Sequence, residues 1–317
     1  MKLSQVGEFR LIDLLARQLG KPSRGVVVGI GDDAAAIQVK SQKSKVKTNV
    51  SFLLITTDTL VENIHFKLRK ASFYDLGYKA LAVNVSDVAA MGGVPTYALV
   101  TVGANKNLSV KKVQDLYRGI SRAARKFRVE VIGGDTVQSP KELIVSITLL
   151  GEVEKKHLLT RSKAKVGDVI LVTGEFGGPA AVKYDSRKQK VERRTQEARI
   201  IAKSRMATSM IDSSDGLVRS VLEICKASKV GARIRLDSVP VAKKAVLEQA
   251  LYGGEEYELV FTTSLTRAAE LKAAIEKKTR TKVAILGEIV AKNKGIKLVD
   301  EQGRDSALKK SGYEHFK

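Results

Sequence analysis

Asn84-Val85-Ser86-Asp87-Val88-Ala89-Ala90-Met91-Gly92-Gly93 is the stretch on which the fold turns. Upstream, Ser72 and Asp75 have the spacing of a capping box, and Gly92-Gly93 supplies a C-terminal stop, so a helix is predicted over residues 72–91. Ala80, Ala82, Ala89 and Ala90 suit a helix that lies tightly against a sheet. Asp87 is the anomaly in this apolar stretch. Asp is a poor helix former and an unpaired buried carboxylate is costly, so a cation must compensate if that face is buried.

Outward from this helix, apolar runs bounded by turn residues predict strands. Val26 to Ile30 runs into the Gly31-Asp32-Asp33 turn, and Ser51 to Thr56 is a strand ending at Asp58. Thr96 to Gly103 precedes a helix from Ser109 to about Arg128, with Val113, Leu116, Tyr117, Ile120, Ala124 and Phe127 as its apolar stripe. Glu130–Ile132 and Leu143–Glu152 complete a first sheet. Charge rises and periodicity lapses between Val153 and Lys165, which divides the chain into domains at 1–152 and 153–317. The second half offers strands over 168–173, 232–236, 258–262 and 283–289, a Gly-rich turn at Gly174, Gly177 and Gly178, a basic helix, and a helix over 217–228. The strand spacing is too irregular for a doubly wound parallel sheet. The expected class is α/β of the α+β type, two domains with mixed sheets.

Composition narrows the function. At 317 residues and 44% hydrophobic, the chain reads as soluble and globular. The single Cys225 excludes a disulfide framework or a cysteine zinc site, and Val218, Val221 and Leu222 on its helical face predict a buried thiol. Residues 1–20 carry charges within an amphipathic pattern rather than a secretory signal, and no apolar run is long enough to span a bilayer. A cytoplasmic protein without a membrane partner is expected. The net charge of +22 invites a nucleic-acid reading, but the basic runs at 40–47 and 183–205 are not interleaved with aromatics, and Trp is absent. That argues against nucleic acid as partner. The positive field would still draw small polyanions such as nucleotides.

Against this basic background the acidic residues gather beside glycines and hydroxyls. The clusters are Gly31-Asp32-Asp33, Thr56-Thr57-Asp58, Asn84 to Asp87, Gly133-Gly134-Asp135-Thr136, Asp212-Ser213-Ser214-Asp215-Gly216 and Gly254-Glu255-Glu256-Tyr257-Glu258. Hard divalent cations take Asp oxygens, and Gly lets a backbone approach a phosphate. Taken singly, several have ordinary readings. Gly-Asp-Asp is good turn chemistry, a lone His65 is commonly structural, and Ser214 or Asp215 could simply cap the helix after it. No Gly-x4-Gly-Lys-Ser/Thr loop, protein-kinase set, nucleophile elbow or His-Glu-x-x-His motif occurs.

In order along the chain these segments resemble the thiamine-monophosphate kinases, within the superfamily that includes aminoimidazole ribonucleotide synthetase. The match runs from Gly7-Glu8-Phe9 to Gly312-Tyr313-Glu314-His315-Phe316. It is carried by the motifs at 29–34, 56–61, 84–93, 133–136, 159–162, 214–217 and 253–259. The resemblance implies an aminoimidazole ribonucleotide synthetase-like architecture, with residues 1–152 as the ATP/Mg-binding and dimerisation domain and 153–317 closing the cleft. ATP as co-substrate, several Mg²⁺ ions, thiamine monophosphate as acceptor and a homodimer are implied with it. So are metal ligands at Asp33, Thr56, Thr57, Asp58, Asp87, Asp135, Asp212 and Asp215, ATP contacts at Gly134, Asp135, Arg161 and Ser214, and acceptor contacts at His65, Glu255 and Tyr313.

The implied chemistry is coherent. A phosphate monoester is already largely dianionic at neutral pH, so the acceptor needs no general base, and no catalytic residue is expected beyond metal- and Arg161-assisted transfer. Two departures stand out. The family's Pro-containing stretch is absent from Glu197 to Met206, and Glu256 stands where Asp is usual. Another ATP-using member of the superfamily with a different small substrate, or a non-catalytic nucleotide-binding homologue, are the alternatives.

Overall fold

The structure, a computed structural model, describes residues 2–20, 22–39, 51–182, 194–308 and 310–316. The chain opens with helices α1 (Leu3–Val6) and α2 (Glu8–Leu19), then strands β1 (Val26–Val28), β2 (Ala35–Gln38) and β3 (Ser51–Val61). Helix α3 (Phe73–Ala90), β4 (Val94–Ala104), α4 (Val110–Phe127), β5 (Glu130–Gln138) and β6 (Ile144–Glu154) follow. The second half runs β7 (Asp168–Thr173), α5 (Gly178–Val182), α6 (Thr195–Ser204), β8 (Ala207–Asp212), α7 (Leu217–Ser228) and β9 (Gly231–Arg235). It ends with α8 (Leu247–Tyr252), β10 (Leu259–Ser264), α9 (Leu265–Thr279), β11 (Val283–Val290), β12 (Ile296–Val299) and β13 (Asp305–Ala307).

Among the described residues the first sheet has the order β1-β2-β3-β6-β4-β5, antiparallel except where β4 meets β5. The second is ordered β13-β12-β9-β11-β7-β10-β8, with β12 and β9 as its parallel pair. Both sheets are mixed, as the irregular strand spacing predicts.

Helix α3 joins the two halves. Ser72 caps it, its Oγ accepting from the Asp75 N–H at 3.2 Å. Leu76, Leu81, Val85 and Val88 are fully buried in the core of the first sheet, each contributing about 1.5–3 kcal/mol of burial. Helix α4 crosses α3 so closely that a Cβ at Gly77 would collide with the Leu116 carbonyl, and one at Gly119 with that of Tyr74. Further along α3, Ala89 and Ala90 pack with Leu159, Leu171, Ile201 and Phe261 of the second half. Small residues at the end of the helix thus bring the second sheet against the first. That sheet carries α7 on one face and α6 with α9 on the other.

Several elements differ from expectation. Strand β3 continues past Asp58 to Val61, and β5 absorbs the Gly133–Thr136 motif into an edge strand instead of ending before it. The edge position and the bulge at Ile132, opposite Ala98 and Leu99 of the partner strand, tolerate Gly and Asp there. Strands β2, β12 and β13 and helix α9 had no clear signal. The expected loop at 40–47 and the basic residues 183–193 lie outside the described residues.

Candidate active site

Asp87 sits in the last turn of α3, Asp33 in the turn between β1 and β2, and Asp212 at the end of β8. One carboxylate oxygen from each lies within 4.8 Å of the other two. Three segments from two domains therefore meet at one point. Their neighbours orient them: the Thr56 hydroxyl donates to Asp87 Oδ2 at 2.6 Å, and the Ser86 hydroxyl to Asp212 Oδ2 at 2.5 Å. Asn84 Oδ1 accepts from the Asp58 N–H at 3.0 Å, while its Nδ2 donates to the Ala80 carbonyl.

Burial, with mutual repulsion behind it, pushes Asp87 and Asp212 well above the usual carboxylate range. Asp58 is pushed up to about 6 by burial and then by Asp33. Asp33 is also raised by burial, although Arg161 opposes the rise with its Nη2 at 2.5 Å from Asp33 Oδ1. Asp33 Oδ2 is buried with no hydrogen-bond partner among the described residues. One guanidinium leaves this carboxylate group under-compensated, and its hard oxygens fit a cation such as Mg²⁺.

Asp32 has a different task. Both its oxygens accept from the Arg161 backbone N–H, at 3.3 and 3.2 Å, so it seats the residue whose side chain reaches Asp33. Asp32 is raised to about 7, by burial first.

Beside the cluster lies a cavity of about 500 Å³. Its walls include His65, Ser214, Glu255 and Tyr313, all expected ligand contacts, together with Asp58 and His315. His65 Nδ1 accepts from the Val61 N–H at 3.0 Å, so the ring proton sits on Nε2. Burial, then His315, lowers its pKa to about 4, and the ring is neutral at pH 7. The His65 and His315 rings lie 5.3 Å apart, and Tyr313 meets His315 edge-on at 5.0 Å.

Glu255 reaches the cavity from a backbone held at φ 67°, followed by Tyr257 at φ 54°. The Glu255 N–H donates to the Ser214 carbonyl at 2.6 Å and the Tyr257 N–H to that of Ser213 at 2.8 Å, zipping the two loops together. Lys79, buried on α3, pairs with Glu255 Oε1 at 2.5 Å across the domain junction. Neither Ser214 nor Asp215 caps α7: the N-cap is Gly216, at φ 101°. Asp215 is raised to about 7 by burial and then by Glu8.

The pleat separates other expected residues. Thr56 and Asp58 face α3, whereas the Thr57 hydroxyl donates to the Ile147 carbonyl at 3.2 Å on the opposite side of the strand. Gly134 and Asp135 are exposed on β5. Asp135 pairs with Thr101, Thr101 with Ser146 and Ser146 with Thr59, so three strand spacings, about 14 Å, separate it from β3. Gly134 has a packing reason for its identity, because a Cβ there would collide with the Val100 carbonyl. Lys79 escaped the sequence pattern, and Asn84 and Ser86 figure there only as neighbours of Asp87, without a role of their own. The reasoning that singles out Asp87, a polar group inside an apolar helix, applies equally to Lys79.

Residues 31–153 match the family model for the AIR synthase related protein, N-terminal domain, and residues 165–300 that for its C-terminal domain. The thiamine-monophosphate kinase of Bacillus subtilis (strain 168) is 34% identical, covering 92% of this chain and 94% of the relative. That of Buchnera aphidicola subsp. Schizaphis graminum is 34% identical over 98% of this chain and 99% of its own length. The solved structure of AaThiL complexed with AMPPCP and TMP superposes with a TM-score of 0.82 at 30% identity, covering 99% of both chains. An acidic trio at a two-domain junction, an adjoining cavity and near-full-length similarity lead to one assignment: the chain belongs to the thiamine-monophosphate kinase family of AIR synthase related proteins.

Proposed function

We propose that this protein transfers the γ-phosphoryl group of ATP to thiamine monophosphate in one direct, in-line step, giving thiamine diphosphate and ADP. The observation that carries this reading is the charge of the cavity. On a chain of net charge +22, its walls hold Glu8, Asp58, Asp215 and Glu255, and no Lys or Arg among the described lining residues. Such a cavity suits the cationic thiazolium of thiamine, and the neutral His65 adds no repulsion. The relative solved with AMPPCP and TMP supports both substrates.

Asp33, Asp87 and Asp212 would hold Mg²⁺, with Thr56, Asp58 and Asp215 beside them; Thr57 and Asp135, also carried over from the family, lie on the outer face of the first sheet and stand apart from this group. When bound, such ions supply positive charge that offsets the repulsion between triphosphate and acceptor phosphate. Arg161 adds a permanent cation at the same place, and Ser214 lies where cavity and cluster meet. The acceptor arrives as a dianion, so no residue has to remove a proton. What the chain contributes is alignment and compensating charge.

Residues 1–152 form the ATP- and Mg-binding domain in this reading, with 153–317 closing the cleft. A homodimer through the outer face of the first sheet belongs to the same proposal. Tyr97, Leu99 and Val137 are exposed on β4 and β5, and Asp135 lies among them, where a second copy would meet Gly134 and Asp135. The test is a substrate screen that follows ADP release with Mg-ATP. Thiamine monophosphate should give ADP and thiamine diphosphate in equal amounts. Turnover of an aminoimidazole precursor with none of thiamine monophosphate would sink the reading.

A further inference from the structure

Two distant segments reach the rim of the cavity, and one side chain outside it holds both. Arg219 on α7 is 11% exposed. Its guanidinium carbon lies 4.0 Å from the ring centroid of Phe9, on α2. Nη2 donates to Ser311 Oγ at 2.9 Å and lies 3.5 Å from Glu314 Oε2, while Nη1 lies 3.4 Å from Glu223 Oε1. None of Arg219, Phe9, Ser311 or Glu314 is among the lining residues, but their sequence neighbours Glu8, Tyr313 and His315 are. Two backbone bonds finish the arrangement: the Tyr313 N–H donates to the Asp215 carbonyl, and the His315 N–H to Glu8 Oε2, both at 3.0 Å. Gly312, at φ 97°, passes so close that a Cβ would collide with the Asp215 carbonyl and crowd the Cβ of Arg219.

We infer that Arg219 is a positioning residue for the acceptor: it clamps α2 and residues 311–316 together, so that Glu8, Tyr313 and His315 form one preset wall of the cavity. The inference rests on the function proposed above. A guanidinium is suited to this task because its face stacks on Phe9 while its edge serves Ser311, Glu314 and Glu223 at once. A lysine ammonium is a point charge and cannot do both. With the clamp released, the wall must be ordered by the incoming acceptor, which weakens acceptor binding. Of the ATP contacts, Gly134, Asp135 and Arg161 lie on other segments and only Ser214 borders this wall, so the loss falls mainly on the acceptor.

The experiment compares wild type with Arg219→Met, Arg219→Lys and Phe9→Leu, measuring kcat, KM for each substrate and hydrogen exchange over residues 311–316. Arg219→Met should raise KM for thiamine monophosphate about ten-fold, the effect of re-ordering two or three side chains on binding. Arg219→Lys and Phe9→Leu should shift it in the same direction by less. KM for ATP should stay within about two-fold throughout, and exchange over 311–316 should accelerate. A folded Arg219→Met with wild-type KM for the acceptor, or with both KM values raised together, overturns the inference. Phe9→Leu, which removes only the aromatic face, carries the test if Arg219→Met does not fold. Failure of the parent reading looks different: wild-type protein then releases no ADP with thiamine monophosphate, while the exchange comparison still reports the clamp.

Discussion

Asp87 shows how much one carboxylate can reveal at the residue scale. Inside an apolar helix it has no structural excuse, and the structure puts it beside two other acids with a hydroxyl from Thr56 as its bonded neighbour. Asp87→Asn keeps the shape and removes the charge. Turnover should fall by about 10²–10³, the usual weight of one preorganised charge in a transfer site. Without Mg²⁺ the variant should melt at or above the wild-type temperature, because a repelled, buried carboxylate has gone. A variant with full activity would remove the metal-cluster argument; one that unfolds would make Asp87 a structural residue.

At the scale of elements, the crossing of α3 and α4 positions the site. Gly77 and Gly119 let the two backbones touch, and Lys79, Asn84, Ser86 and Asp87 all ride on the helix so placed. Gly119→Ala must push α4 away from Tyr74, at a cost of about 1–3 kcal/mol for overpacking. Thermal melting should register that loss. Turnover should drop with it, since the substitution lies far from the acids yet moves their helix; unaltered activity in a destabilised variant would show that the two are uncoupled. Helix α3 was legible because its cap, its stop and its apolar face all agree. Strand β5 was legible only at its start, Glu130–Ile132: Gly133, Gly134 and Asp135 read locally as its end, and only pairing with β4 carries the strand through them. Within the site, Asp33, Asp87 and Asp212 announce themselves as acids beside glycine or in apolar surroundings. The side to which Thr57 or Asp135 points depends on sheet register, which no local pattern records.

For the whole molecule, the raised carboxyls set how stability varies with pH. Folded Asp58 holds its proton up to about 6 and Asp32 up to about 7, and Asp33, Asp87 and Asp212 are raised too, whereas unfolded Asp releases its proton near 3.9. The folded state thus binds more protons, and stability is lost as pH rises from about 4 through 7. The metal-free protein should melt lower at pH 8 than at pH 5. Millimolar Mg²⁺ should raise the melting temperature more at pH 8, because a cation replaces the missing protons. A melting temperature indifferent to Mg²⁺ at both pH values would count against cation binding by the acids. The left-handed backbone at Glu255 and Tyr257 matters in another setting, the engineering of heat resistance. Each costs about 1–3 kcal/mol and invites repair with glycine. Yet Tyr257 is buried against Ala82 and Val83, and Glu255 is tied to Lys79 across the junction. A designer who relaxes that loop would hollow out the seam between the domains and loosen the seat of the acceptor, so sturdier variants are better sought on the outer strands and helices, away from this bend.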